Sequence, residues 1–233
     1  SSPSDIYNEI NNFLSNQVKN KKFKALVTAG PTNEYIDPVR FITNKSSGKQ
    51  GYEIAKSLSK RGFDTTLITG PTYLDIENSI NLIKVETSEE MFRATQENLP
   101  TDIAIFSAAV ADFKIKKNNN KIKKKENLTI NLEKNIDILN YVSNHNSMRP
   151  KLVIGFAAET NDLENNAISK LNNKNCDWII ANDVSKKNSG FNSDFNEVTI
   201  HYKDSKNKKE KLSLKKKSEI SEEIVDRIVT QIN

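Results

Sequence analysis

Cysteine and histidine are nearly absent: the 233 residues include one cysteine, Cys176, and two histidines. A lone cysteine cannot close an internal disulfide, and so few soft ligands argue against a dedicated zinc site. Both absences fit a reducing, cytoplasmic setting. No apolar run approaches the roughly 20 residues that span a bilayer, and the opening Ser1-Ser2-Pro3-Ser4 lacks the basic and apolar regions of a signal peptide. A soluble chain with no membrane partner is expected. The lysine-rich stretches 114–125 and 203–217 carry no aromatic residue that would stack on bases. With 35 basic residues against 30 acidic ones, the net charge of +5 is mild, so these runs read as solvated faces and no nucleic-acid partner is expected. Neither GxGxxG nor GxxxxGK[ST] occurs, which counts against a dinucleotide fingerprint and a Walker loop.

What is present alternates. Short apolar runs at Lys24–Gly30, Asp64–Thr69, Asn81–Val85, Asp102–Ala108, Lys151–Ala157 and Asp177–Ala181 have the length and composition of buried strands. Helical spacing fills Gly48–Arg61, Ser88–Glu97, Ile136–Asn144 and Asn161–Asn173 between them. Strands alternating with helices imply a parallel sheet covered on both faces, so the expected fold class is α/β, a Rossmann-like three-layer architecture. Val198–Tyr202 and Glu210–Leu214 read as a C-terminal antiparallel hairpin extension, followed by a helix from Ser218 to Ile232. Residues 1–22 read as a connector helix built on Ile6, Ile10, Phe13, Leu14 and Val18, and 23–233 as the main domain. Lys114–Glu126 is too polar to pack and is expected to be a mobile loop.

Open parallel sheets bind ligands beyond the carboxyl ends of their strands, so the loops there carry the candidate chemistry. Gly30, in Thr28-Ala29-Gly30-Pro31-Thr32, allows a ligand close to the backbone or simply makes a turn. Ser46, Ser47 and Gly48 stand where a helix should begin; its unpaired amides suit phosphate oxygens, with Lys49 adding charge, although either serine is also an ordinary cap. Ser107–Phe113 (SAAVADF) ends a strand in small residues, Ala108 and Ala109 among them, against which a flat base or ribose fits. Asp112 there suits ligand hydroxyls, Mg²⁺ or a loop cap. Lys121-Ile122-Lys123-Lys124 suits a cover over a triphosphate. Lys170 and Lys174 share one helix face; Glu159 and Asn182-Asp183 add polar strand ends.

In their order and spacing, TAGPT, DPVRFITNKSSGKQGY, AAVADF, KIKK, GFAAET, ANDV and GFNSD resemble the bacterial phosphopantothenoylcysteine synthetases, over about Lys24 to the C-terminus. The resemblance implies a ligase of coenzyme A synthesis with CTP as co-substrate. In that chemistry the carboxylate of 4′-phosphopantothenate attacks the α-phosphate, pyrophosphate leaves, and the amine of cysteine displaces CMP. It implies that Asn44 handles the acyl-cytidylate, where an amide donor steadies an oxyanion without competing as a nucleophile, and that Lys121 sits on a flap over the intermediate. By the same matching Gly30, Ser46, Ser47, Gly48, Ala108, Asp112, Lys121, Ile136, Asp137, Ile138, Leu139, Phe156, Lys170 and Lys174 bind nucleotide, while Arg40, Asn44 and Ala109 meet the acyl substrate. Mg²⁺ is implied with the triphosphate; its ligands stay unassigned. A homodimer is implied, with strand-bearing segments completing each other's sites; because the lead helix Ser4–Val18 resembles the connector that joins the family's two halves, a fused flavin-dependent decarboxylase is expected ahead of it.

Two departures matter. Lys134-Asn135-Ile136-Asp137 stands where the family commonly has Lys-Asn-Pro-Asp, which bears on base preference, and the flap is about one residue shorter and richer in lysine. The competing readings are a dinucleotide-binding oxidoreductase on the same fold and a non-catalytic nucleic-acid-binding module, because fold alone does not fix function.

Overall fold

The computed structural model describes residues 2, 23–124, 129–159, 161–183, 193–204 and 209–232. The connector helix expected at Ser4–Val18 lies outside the described residues, as do Thr160 of GFAAET, Val184 of ANDV and Gly190-Phe191-Asn192 of GFNSD. In chain order the first elements are β1 (Lys24–Ala29), β2 (Asn33–Tyr35), β3 (Phe41–Thr43), α1 (Lys49–Lys60), β4 (Asp64–Thr69), β5 (Asn81–Lys84), α2 (Ser88–Glu97) and β6 (Ile103–Phe106). There follow β7 (Phe113–Ile115), β8 (Leu132–Lys134), α3 (Ile138–Ser143), β9 (Leu152–Glu159), α4 (Leu163–Lys174), β10 (Trp178–Asp183), β11 (Phe195–Tyr202), β12 (Lys209–Lys216) and α5 (Lys217–Ile232).

The main sheet runs β12-β11-β10-β9-β6-β1-β4-β5. Its last six strands in that order are parallel, while β11 and β12 add to β10 as the expected antiparallel hairpin, longer than its apolar pattern indicated. From β1 the chain builds outward to β4 and β5, then returns to place β6 on the other side and continues to β9 and β10. The reversal lies between β1 and β6, and the carboxyl ends of all six parallel strands point the same way along the strand direction.

Why β1 reads as an unbroken apolar run is clear from what covers it. Ala25, Val27 and Ala29 pack with Tyr52, Ile54 and Leu58 of α1 and with Ile220, Ile224 and Ile228 of α5. Leu26, facing the other way, packs with Met91 of α2, Leu139 and Val142 of α3 and Leu171 of α4. Alternation across the pleat therefore feeds two cores rather than one core and solvent. Burying each large aliphatic side chain contributes about 1.5–3 kcal/mol relative to exposure, before chain entropy is charged against it.

Two small antiparallel pairs, β2 with β3 and β7 with β8, have no counterpart in the sequence reading. They leave Val39, Phe41, Ile42, Phe113 and Leu132 exposed. The expected loop at Lys114–Glu126 needs correction over its described part. Lys114 and Ile115 belong to β7, the amide of Asn118 donates to the carbonyl of Ile36 at 2.9 Å, and Ile122 is hydrogen-bonded to Asp37 and Arg40. Polarity there reflects anchoring by hydrogen bonds instead of apolar packing.

Candidate active site

Outside the carboxyl ends of β1, β6 and β9, at the reversal of strand order, lies a cleft of about 780 Å³. Doubly wound sheets place ligands at this position. Its walls come from residues 44–51, the strand exit 106–113, the segment 134–139 that leads into α3, Phe156 and Ala158 of β9, Lys170 and Lys174 of α4, and Lys217 at the start of α5.

The α1 end of the cleft is shaped by two glycines. Gly48 caps the helix with φ +74° and no side-chain cap, and the first turn holds no acid. Besides that backbone conformation, a Cβ on Gly48 would stand 2.8 Å from Thr72 Cγ2 and 3.3 Å from the Gly30 nitrogen. On Gly51 a Cβ would fall 2.5 Å from Ser107 Oγ and 2.6 Å from Ala29 Cβ, so its absence lets the helix lie on β1 and the 107 loop. Ser46 Oγ accepts from the amide of Gly48 at 3.3 Å, yet neither serine is the cap. The result is a helix start without side-chain capping, facing a cavity.

Across the cleft, the exit of β6 is tied down from behind. Ala109 donates its amide to the Gly30 carbonyl at 2.8 Å, and Ala111 donates to Thr32 Oγ1 at 3.0 Å. Asn44, just after β3, donates through Nδ2 to the carbonyls of Val110 at 3.0 Å and Ala109 at 3.4 Å. This joins the ITN segment to the AAVADF loop within one subunit. Asn135 Nδ2 reaches Ser88 Oγ at 2.5 Å and the Ala111 carbonyl at 3.0 Å, and the amide of Ile136 donates to Asn135 Oδ1 at 3.0 Å. The donor that isoleucine brings in place of proline is thus taken up by the preceding side chain. Asp137 caps α3 by accepting from the amide of Asn140 at 2.8 Å, and its other oxygen meets Lys174.

Charge in the lining is one-sided: six lysines (45, 49, 134, 170, 174 and 217) against two carboxylates, Asp112 and Asp137. Lys170 donates to the Phe156 carbonyl at 2.8 Å, and burial lowers its pKa. Lys217 is only 7% exposed; burial, then the neighbouring Lys49 charge, pushes it down to about 8. Lys49 pairs with Asp194 at 2.5 Å. Desolvated cations bind polyanions more strongly than solvated ones. Among the described residues no group of three or more His, Cys, Asp or Glu is arranged to hold a metal ion.

The structure therefore brings together Asn44, Ser46, Ser47, Gly48, Ala108, Ala109, Asp112, Ile136, Asp137, Ile138, Leu139, Phe156, Lys170 and Lys174 in one lining. Gly30, Arg40 and Lys121 are not part of it. Gly30 (φ +73°) supports Gly48 from behind, and Arg40 is engaged by Asp37 and Ile122. Lys217 was missed because it ends a lysine run that reads as a solvated face; its place immediately before an apolar-periodic helix was the available signal. A tyrosine and lysine four residues apart, the pair an oxidoreductase of this fold would use, do occur at Tyr52 and Lys56. Tyr52 is buried with its hydroxyl 2.8 Å from Thr72 Oγ1, and Lys56 pairs with Glu53 at 2.9 Å, both away from the cleft. Burial pushes the Cys176 thiol up to about 11, so it is no nucleophile. No helix among the described residues is long and apolar enough to cross a membrane.

Comparison with known proteins gives the family and the fold. The family described as DNA/pantothenate metabolism flavoprotein C-terminal domain matches residues 20–232. The chain is 40% identical over 232 residues to the coenzyme A biosynthesis bifunctional protein CoaBC of Haemophilus influenzae, covering 98% of this chain and 57% of that protein. It is 41% identical over 207 residues to the protein of that name from Bacillus subtilis, covering 87% and 50%. The chain thus spans about half the length of these curated relatives. A crystal structure of the C-terminal domain of a CoaBC protein superposes with a TM-score of 0.74 at 37% identity, covering 90% of this chain and 95% of that one.

Proposed function

The chain belongs to the DNA/pantothenate metabolism flavoprotein C-terminal domain family, and from that premise we propose that it is a phosphopantothenate–cysteine ligase of coenzyme A biosynthesis. CTP activates the carboxylate of 4′-phosphopantothenate as an acyl-cytidylate, pyrophosphate leaves, and the cysteine amine displaces CMP. One observation carries the reading: an uncapped helix start and six cleft lysines converge where Asn44 and the 107–112 loop meet. A triphosphate supplies the acceptors that the first turn of α1 lacks. The small side chains of Ala108 and Ala109 leave room for the sugar and base, and Lys170 and Lys174 offset phosphate charge from α4. Asn44 steadies the acyl-nucleotide through its amide.

Mg²⁺ is proposed to enter with the triphosphate. The donor set suits an ion that keeps waters and takes one or two carboxylates plus phosphates. Asp137 is already engaged by Lys174, so Asp112 is the carboxylate that would hold the ion, which supplies charge neutralisation of the phosphates. Arg40 is assigned to the acyl substrate.

Arg40 and Lys121 lie outside their own chain's cleft, beside the exposed Val39, Phe41, Ile42, Phe113 and Leu132. We propose that these apolar strand pairs meet in a homodimer and present Lys121 to the second subunit's cleft. The native protein carries a fused flavin-dependent decarboxylase, and the reaction runs in the cytoplasm, where a single buried cysteine is unremarkable.

The test is incubation with 4′-phosphopantothenate, cysteine, Mg²⁺ and either CTP or ATP. Pyrophosphate should appear only with 4′-phosphopantothenate present, faster with CTP, and amide only when cysteine is added. Pyrophosphate release that ignores the acyl substrate contradicts the assignment.

A further inference from the structure

The residues that the cleft leaves out are joined to one another. Asp37, in the turn between β2 and β3, is fully buried, and its carboxylate is heavily engaged. Oδ1 accepts from the amides of Val39 and Arg40, each at 2.9 Å. Oδ2 accepts from Arg40 Nε at 3.0 Å, from Arg40 Nη2, and from the amide of Ile122 at 3.1 Å. Arg40 Nη2 also donates to the carbonyl of Ile122 at 3.0 Å. One ion pair therefore grips both backbone polar groups of a residue 85 positions away in the chain.

Oδ1 alone would close the turn, as an aspartate does at many turns. Oδ2 and the guanidinium are directed instead at Ile122, the immediate neighbour of Lys121. Asn44 follows Arg40 by four positions on the β2–β3 hairpin. The clamp thereby makes one body of the segment bearing Asn44 and the segment bearing Lys121. The Arg40 guanidinium also holds the Asp37 carboxyl well below the usual carboxylate range, so the pair stays charged at every pH at which the reaction would be assayed.

We propose that Asp37 is a positioning residue for the ligase reaction: through the Arg40–Ile122 clamp it fixes Lys121 on the β2–β3 hairpin, the body from which Lys121 reaches the second subunit's cleft. This rests on the reaction proposed above. Asp37 does not line the cleft; its effect passes through Lys121. Displacing a reacting group by about 1 Å is enough for a loss near a hundredfold, so a clamp of this kind has consequences out of proportion to its exposure.

A double-mutant cycle on the full chain separates positioning from general support. Asp37→Asn should lower kcat for pyrophosphate release about thirtyfold while KM for CTP moves less than about threefold. Added to Lys121→Gln, which should itself be slow, it should change the residual rate less than about threefold, because the group it positions is already gone. Equal losses in both backgrounds would overturn the proposal. Ile122→Pro removes the N–H that Asp37 accepts, while also fixing φ at 122 and restricting the backbone of Lys121; it should reproduce the kcat loss even where Asp37→Asn does not fold, and a wild-type rate in that variant overturns the proposal too. Amide exchange at Ile122 reads the clamp without turnover, and Asp37→Asn should speed it about tenfold or more. If the parent chain protects Ile122 but releases no pyrophosphate, the clamp stands and the reaction assignment, with the positioning role, falls.

Discussion

Helices α1 and α2 both begin at the carboxyl-end side of the sheet, and their first turns are completed in opposite ways. At α2, Thr87 Oγ1 accepts from the amide of Glu90 at 3.2 Å, and the Glu90 carboxylate accepts from Glu86 and Thr87 at 2.7 and 3.2 Å. Glu34 adds an acceptor for the Ser88 amide at 3.0 Å, and Glu89 and Glu90 place acid in the first turn. At α1 there is a left-handed glycine, no side-chain cap, no acid, and Lys49. One terminus satisfies its amides and dipole internally; the other presents both to a cleft. A helix start can therefore be read as structural or ligand-directed from whether the chain has supplied its own acceptors.

Breaking that contrast should have the largest effect. Ser47→Asp gives α1 the carboxylate that α2 already has, and is expected to weaken CTP binding about a hundredfold, or about 2.7 kcal/mol, in a calorimetric titration. Unchanged affinity would mean that phosphate does not sit at this helix end.

Lys217→Gln sharpens the contrast by removing one buried cation near α1, and a loss of about tenfold in CTP affinity is expected. The pH dependence gives the sign. Lys217, depressed to about 8 by burial and by Lys49, is largely protonated at neutral pH and loses its charge as pH rises past that value. CTP affinity of the parent chain should therefore fall between about pH 7 and 9, and the fall should be shallower in Lys217→Gln. Lys49 of α1 and Asp194 before β11 face the same group, with Lys49 lowering its pKa and Asp194 raising it; bound phosphate would raise it further. Parallel pH profiles for the two proteins would remove Lys217 from the site.

The smallest effect belongs to α2. Thr87→Ala deletes a cap and should lower stability by about 1 kcal/mol in denaturant titration, with CTP affinity unchanged. A parallel loss of affinity would show that the two termini are not functionally distinct.

Much of the frame was legible because it rests on local pattern. The run from Lys24 to Ala29 is apolar on both faces since helices cover both, and the helix over Ser88–Glu97 carries its capping box in sequence. The loops after β1 and β6 could be located as strand ends, and most of the residues assigned there do line one cleft. What was not legible depends on contacts distant in the chain. The three-residue strands β2, β3, β7 and β8 are too short to show alternation. The lysine-rich stretch after β7 looked unanchored because its partners, Ile36, Asp37 and Arg40, lie about eighty positions earlier. Lys217 gave no periodic signal because burial of its amine depends on how α5 meets α1, where Gln50 Nε2 donates to Ser221 Oγ at 2.8 Å.

The central claim is that the first turn of α1 and the exit of β6 hold the triphosphate nucleotide between them. Amide hydrogen exchange of the whole chain with and without CTP and Mg²⁺ tests it most directly. CTP should slow exchange at residues 48–51 and 107–112 and leave 88–90 of α2 unchanged; protection at α2 with none at α1 would contradict the account.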